Sequence, residues 1–145
     1  MTTAAALLAG SVLAQIVWTF AVMLWAGRAR FAAARAGRVD LARIALDSSA
    51  WPDDVRRCAN NMNNQFETPT LFYALALLAL VLGLASLPLA LLGWGFVATR
   101  VLHSLAHAGR NDLMTRFRFF FAGVLMLMVM TILLAIDLVR GAAVS

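Results

Sequence analysis

The sequence predicts an all-α integral membrane protein, one domain over residues 1–145 built as a four-transmembrane-helix bundle, and three observations carry that prediction. Hydrophobic residues make up 63% of the chain and charged residues 13%, against about 45–50% and about 25% in soluble domains. Apolar residues fall into four runs, at about 4–26, 54–83, 87–108 and 113–138, each long enough for the ~20 helical residues that cross ~30 Å of hydrocarbon. Basic residues collect between the runs: Arg28, Arg30, Arg35, Arg38, Arg43, Arg56 and Arg57 lie between the first two, where orientation signals belong.

The first run has no basic stretch before it, which favours a membrane helix stopped by Arg28 and Arg30 over a cleaved signal peptide. Trp18 and Trp25 are suited either to the interface or to core packing. Residues 27–54 are rich in Ala and Arg, so part of this stretch is expected to extend the first helix or to lie in the headgroup layer. The second span begins at Asp53 and Asp54 after Pro52, acids suited to a helix N-terminus, and runs to Gly83 with an expected kink at Pro69 just beyond Glu67. An uncharged turn follows, from Gly83 to Pro88. Gly109 is the expected cap of the third span, and Asn111 or Asp112 the expected N-cap of the fourth, which opens with Arg116 and Arg118. Four crossings put both basic loops on the cytoplasmic side and both termini on the other. The Lys-free composition, rich in Ala, Leu and Arg, suggests a GC-rich bacterial source and hence an inner membrane.

All twelve basic residues are Arg, the net charge is +5 and the pI is near 11.3. Nucleic acid is set aside as a partner, because the arginines sit at span ends and no aromatic-basic interleaving accompanies them. Cys58 is single and makes no internal disulfide.

The polar residues that enter the apolar runs are the candidates for function, since polar side chains at membrane depth are costly. In residues 57–69, Arg57, Asn60, Asn64 and Glu67 share one face if the helix is continuous. Arg100, His103 and His107 share a face of the third span, and Arg116 and Arg118 begin the fourth at the same level. Glu67 and Arg100 lie at similar depth on antiparallel neighbours and are expected to pair, either as a brace for the bundle or as part of a ligand site. A metal on His103 and His107 lacks a third ligand other than Glu67, and Arg100 would repel a cation, so no metal is assigned. Neighbouring guanidinium groups suit a carboxylate or a phosphate instead.

These residues, in this order, resemble the MAPEG family of microsomal glutathione transferases, prostaglandin E synthase and leukotriene C synthase. The resemblance rests on the basic first loop, Arg-Cys at Arg57 and Cys58, Asn-Gln-Phe-Glu-Thr from Asn64 to Thr68, Arg-Val-Leu-His from Arg100 to His103, and Arg116 on the last span. It implies a homotrimer that binds glutathione between subunits near the cytoplasmic side. It further implies that Arg30, Asn64, Glu67, Arg100, His103 and His107 hold glutathione as co-substrate and that Arg116 stabilises its thiolate. Asn60, Met62 and Asn63 stand where charged clamp residues are common, His107 where tyrosine is common, and Phe117 and Phe120 where hydroxyl-bearing residues can occur. Two functions follow: a membrane-bound glutathione-dependent transferase or peroxidase acting on lipophilic electrophiles from the bilayer, or a non-catalytic trimer that binds an anionic lipid or another small anion in the same basic cleft.

Overall fold

The computed structural model describes residues 1–108 and 113–142. Among these residues the helices are α1 (Thr3–Arg35), α2 (Leu41–Leu46), α3 (Asp53–Asn63), α4 (Thr68–Val81), α5 (Leu87–Ala108) and α6 (Leu113–Ala142), with a 3-10 turn at Ser48–Ala50. Among the described residues, three helices are long and apolar enough to cross a membrane: Thr3–Arg35, Leu87–Ala106 and Leu113–Arg140. Gly109, Asn111 and Asp112, expected as caps between the last two spans, lie outside the described residues.

Helix α1 starts at Thr2, whose hydroxyl accepts from Ala5 N at 3.2 Å. It runs past Arg28 and Arg30, because no Pro interrupts residues 27–35 and Ala and Arg both favour helix. It ends in a Schellman turn: Gly37 takes a φ of +66°, Gly37 N donates to Ala34 O at 3.0 Å, and Arg38 N to Ala33 O at 3.1 Å. The connection to α3 is built from local caps. Asp40 accepts from Ala42 N and Arg43 N, and Asp47 accepts from the hydroxyl and the amide of Ser49, bonds that hold its carboxyl below the usual carboxylate range. Arg38 reaches across to α3 and grips Asp54 with both terminal nitrogens, at 3.3 and 3.1 Å, which likewise lowers the Asp54 carboxyl.

The second span is not one helix over 54–83. Helix α3 ends at Asn63, the bonds tighten to Gln65 N–Met62 O and Phe66 N–Asn63 O at 2.9 Å each, and α4 starts afresh at Thr68 with Pro69 as its second residue. Pro69 explains the break. In a continuous helix its ring would strike the carbonyl of Gln65, and its missing N–H would leave that carbonyl unbonded; at a helix start neither cost arises. Helix α4 closes in a second Schellman turn at Gly83, φ +69°.

Helix α5 is central, with half of its apolar stretch buried against about a quarter for α1 and α6, and it packs on both of them. Close approach needs glycine. A Cβ on Gly93 would stand 2.7 Å from Ser11 Oγ, and one on Gly123 would stand 2.9 Å from Thr99 Oγ1. The apolar core fills the half of the bundle near the start of α1, where Leu8, Phe72, Ala76, Leu89, Phe96 and Met130 meet and Phe72 stacks on Phe96 at 4.9 Å. Outward faces are apolar too, as with Leu13, Val17, Phe20 and Leu24 on α1, which suits lipid, where no hydrophobic force drives such residues inward. The other half of the interior holds buried polar side chains beside Val22, Ala26 and Val55.

Candidate functional site

Polar side chains from α1, the α3–α4 break and α5 converge with the main chain at the start of α6 at the basic end of the bundle. Arg100 is 1% exposed, and its Nη2 donates to the main-chain carbonyl of Asn64 at 2.7 Å. That carbonyl lies where α3 stops, so a charge-assisted bond holds the break in place. The Asn64 side chain stands 3.4 Å from His103 Nε2, and His103 Nδ1 stands 3.0 Å from the Arg116 carbonyl. A carbonyl only accepts, so Nδ1 carries hydrogen; the Asn64 amide nitrogen faces Nε2, an arrangement that the Nδ1–H tautomer satisfies. One chain of bonds therefore ties the end of α3 to α5 and to the first turn of α6.

A second chain lies beside it. Gln65, fully buried, donates to Ser104 Oγ at 3.2 Å and to Asn61 O at 3.4 Å, and accepts from Gln15 Nε2 at 3.3 Å. Ser104 also receives Trp18 Nε1 at 3.4 Å, so Trp18 faces the interior, while Trp25 is exposed.

The expected site residues divide by this geometry. Asn64, Arg100, His103 and the main chain of Arg116 come together. Glu67 does not join them: the break turns it outward, it is exposed, and it forms no ion pair with Arg100, whose bond goes to Asn64 instead. The expected face of Arg57, Asn60, Asn64 and Glu67 is likewise not the buried one. Arg57 and Asn60 are exposed, and the side chains that turn inward are Val55, Asn61 and Gln65. Residues 60–65 are polar on every side except Met62, so periodicity alone could not choose between faces. His107 continues α5, but its side chain lies outside the described residues.

Arg30 occupies a neighbouring polar cleft of about 280 Å³, bounded also by Ser49, Arg56, Asn60 and Asn63, with its guanidinium 5.9 Å from the centre of the Trp51 ring. Sequence reasoning missed Gln15, Gln65 and Ser104 as members of the interior network. The signal for Gln15 was available, because it is the one amide in the first apolar run.

Fold and site together define an all-helical integral membrane protein whose bundle holds a buried, hydrogen-bonded polar cluster at its basic end. The MAPEG family model matches residues 8–136, nearly the whole chain, and the protein belongs to the MAPEG family. It is thus a membrane protein of the glutathione- and eicosanoid-related class. No curated protein and no solved structure matches the chain.

Proposed function

We propose that the protein is a membrane-bound glutathione-dependent transferase or peroxidase acting on lipophilic electrophiles that arrive from the bilayer. In this reading α3 and α4 together make a fourth crossing. The basic loops face the cytoplasm of a bacterial inner membrane, and three copies assemble with glutathione at their contacts. The observation that carries the reading is the chain Arg100–Asn64–His103–Arg116, which joins four positions of the family pattern through bonds of 2.7 to 3.4 Å.

Arg100 and His103 are buried at 1% and 4% exposure, so their part is to hold the floor on which exposed groups meet the tripeptide. Arg30 takes a glutathione carboxylate and Glu67 its ammonium group. The Arg116 guanidinium lies beside the sulfur, where a positive charge lowers the thiol pKa and raises the thiolate fraction at neutral pH. In transfer, the thiol proton leaves to solvent, the sulfur lone pair forms a bond to the electrophilic carbon, and the displaced pair departs with the leaving group. In peroxide reduction, two glutathiones are oxidised to the disulfide while the hydroperoxide becomes an alcohol and water.

Calorimetry with millimolar glutathione on the solubilised protein is expected to show binding, and chlorodinitrobenzene turnover is expected to fall at least tenfold in Arg116→Ala. Absence of glutathione binding would overturn the reading. The 280 Å³ cleft around Arg30 favours a second one, a non-catalytic trimer that holds an anionic lipid headgroup between Arg30 and Arg56. In that case, vesicles containing phosphatidylglycerol stabilise the protein while glutathione does not.

A further inference from the structure

Residues Asn64 to Glu67 join α3 to α4, and their side chains divide by burial. Gln65 is fully buried, Asn64 is half-buried, and Phe66 and Glu67 are exposed. Part of what shapes this turn is its own main chain: Gln65 N and Phe66 N donate to Met62 O and Asn63 O, and the Thr70 amide and hydroxyl donate to Glu67 O. Those bonds tie the turn only to the ends of α3 and α4, which would move with it. The Glu67 carboxylate forms no ion pair among the described residues, so its place is set by the main chain that carries it.

The turn is docked on the rest of the bundle at two consecutive residues. At Asn64, Arg100 on α5 takes the carbonyl at 2.7 Å and His103 meets the side chain at 3.4 Å. At Gln65, Nε2 donates to Ser104 Oγ, one turn along α5 from Arg100, at 3.2 Å, and to Asn61 O at 3.4 Å, while Oε1 accepts from Gln15 Nε2 on α1 at 3.3 Å. Both amide hydrogens of Gln65 are used, so turning its side chain breaks several bonds at once. Gln65 is the docking point nearest to Glu67, with only the exposed Phe66 between them. It also connects the turn to α1, the unbroken helix that carries Arg30 fifteen residues beyond Gln15, about 22 Å along its axis.

We propose that Gln65 is a positioning residue for recognition of the co-substrate: by pinning the turn to α1 and α5 it fixes where the Glu67 carboxylate meets an α-ammonium group, and how far that point lies from Arg30. Gln65 itself is buried and touches no ligand; it acts through Glu67. The inference rests on the function proposed above and deepens it, because it assigns the choice of an α-amino thiol peptide over the same peptide without its amine to a buried amide. A held carboxylate meets the ammonium without first being ordered, whereas a loose one gives up that cost on binding.

The test uses the full detergent-solubilised chain and compares, by calorimetry, glutathione with glutaryl-cysteinyl-glycine, the same tripeptide lacking the α-amino group. The wild-type protein is expected to favour glutathione at least tenfold, about the value of one charge-assisted bond, and Glu67→Gln to remove most of that preference. Gln65→Leu should weaken glutathione binding about threefold to tenfold, leave the analogue's affinity unchanged, and add nothing when combined with Glu67→Gln. Ser104→Ala, a milder change that removes one of the Gln65 bonds, should lower the preference in the same direction. Gly93→Ala controls for stability: it crowds Ser11 and Leu8 in the apolar half of the bundle and should leave the preference intact. Without ligand, hydrogen exchange over residues 64–67 should be at least threefold faster in Gln65→Leu and unchanged in Gly93→Ala. Equal losses for both ligands in Gln65→Leu, a similar loss of preference in Gly93→Ala, or unchanged exchange over residues 64–67 in Gln65→Leu would overturn the proposal. If glutathione binds with a preference that Gln65→Leu leaves intact, the positioning role alone falls. If glutathione does not bind, the glutathione reading falls, while faster exchange in Gln65→Leu still supports Gln65 as the pin of the turn.

Discussion

Replacing Gln65 with Leu tests whether the buried amide network holds the bundle together. Gln65 makes three bonds, to Ser104 Oγ, Asn61 O and Gln15 Nε2, at 3.2, 3.4 and 3.3 Å. Leu has a similar volume, so little cavity is left and the loss is mainly polar. The effect depends on what the abandoned partners do. Ser104 keeps Trp18 at 3.4 Å, and Gln15 Nε2 keeps Thr19 Oγ1 at 3.4 Å, so neither is stranded and the penalty for an orphaned buried group does not apply in full. Two of the three bonds are interhelical, at an average of about 0.6 kcal/mol each, and the local bond to the Asn61 carbonyl adds a similar amount, so the destabilisation is about 2 kcal/mol. The assay is reversible unfolding of the detergent-solubilised protein by SDS, followed by helicity. A double-mutant cycle isolates the cause. Gln15→Leu with Gln65→Leu removes both halves of the α1 contact, and that double variant should be less destabilised than the sum of the two single variants. A Gln65→Leu protein within 0.5 kcal/mol of wild type, or strict additivity in the cycle, would refute the reasoning.

Gly93→Ala should destabilise by about 1–3 kcal/mol, because the added methyl meets Ser11 Oγ at 2.7 Å and Leu8 at 3.3 Å across the α1–α5 contact; the same unfolding assay measures it. His103 should show a protonated Nδ1 and a bare Nε2 in nitrogen-15 spectra at neutral pH, and an Nε2–H tautomer would contradict the bond to the Arg116 carbonyl. The Arg38–Asp54 contact lowers the Asp54 carboxyl in the folded protein, so its contribution is present above the unfolded value of about 4 and is lost as pH falls through the lower folded value. Hydrogen exchange in residues 38–54 should accordingly speed up below about pH 4, with that step absent in Asp54→Asn.

Composition and hydropathy alone determine that this chain lives in a bilayer, and they mark α5 and α6 closely, because in lipid a long apolar run has no stable alternative to a helix. The arginines between the first two runs and the MAPEG pattern were also legible, since both are written in consecutive residues. The break at residues 64–67 was only half legible. Pro69 announced a disturbance, but whether it would bend a helix or begin a new one depends on what else can hold the carbonyls at the break, and Arg100 on α5 bonds one of them, that of Asn64. The same event decided the site. With a continuous helix Glu67 would have faced Arg100; with the break it turns outward, and Gln65 turns in to meet Gln15 and Ser104. Residue spacing carries the periodicity of one helix, whereas the partner that satisfies a buried polar group comes from another helix and is settled only when the helices pack.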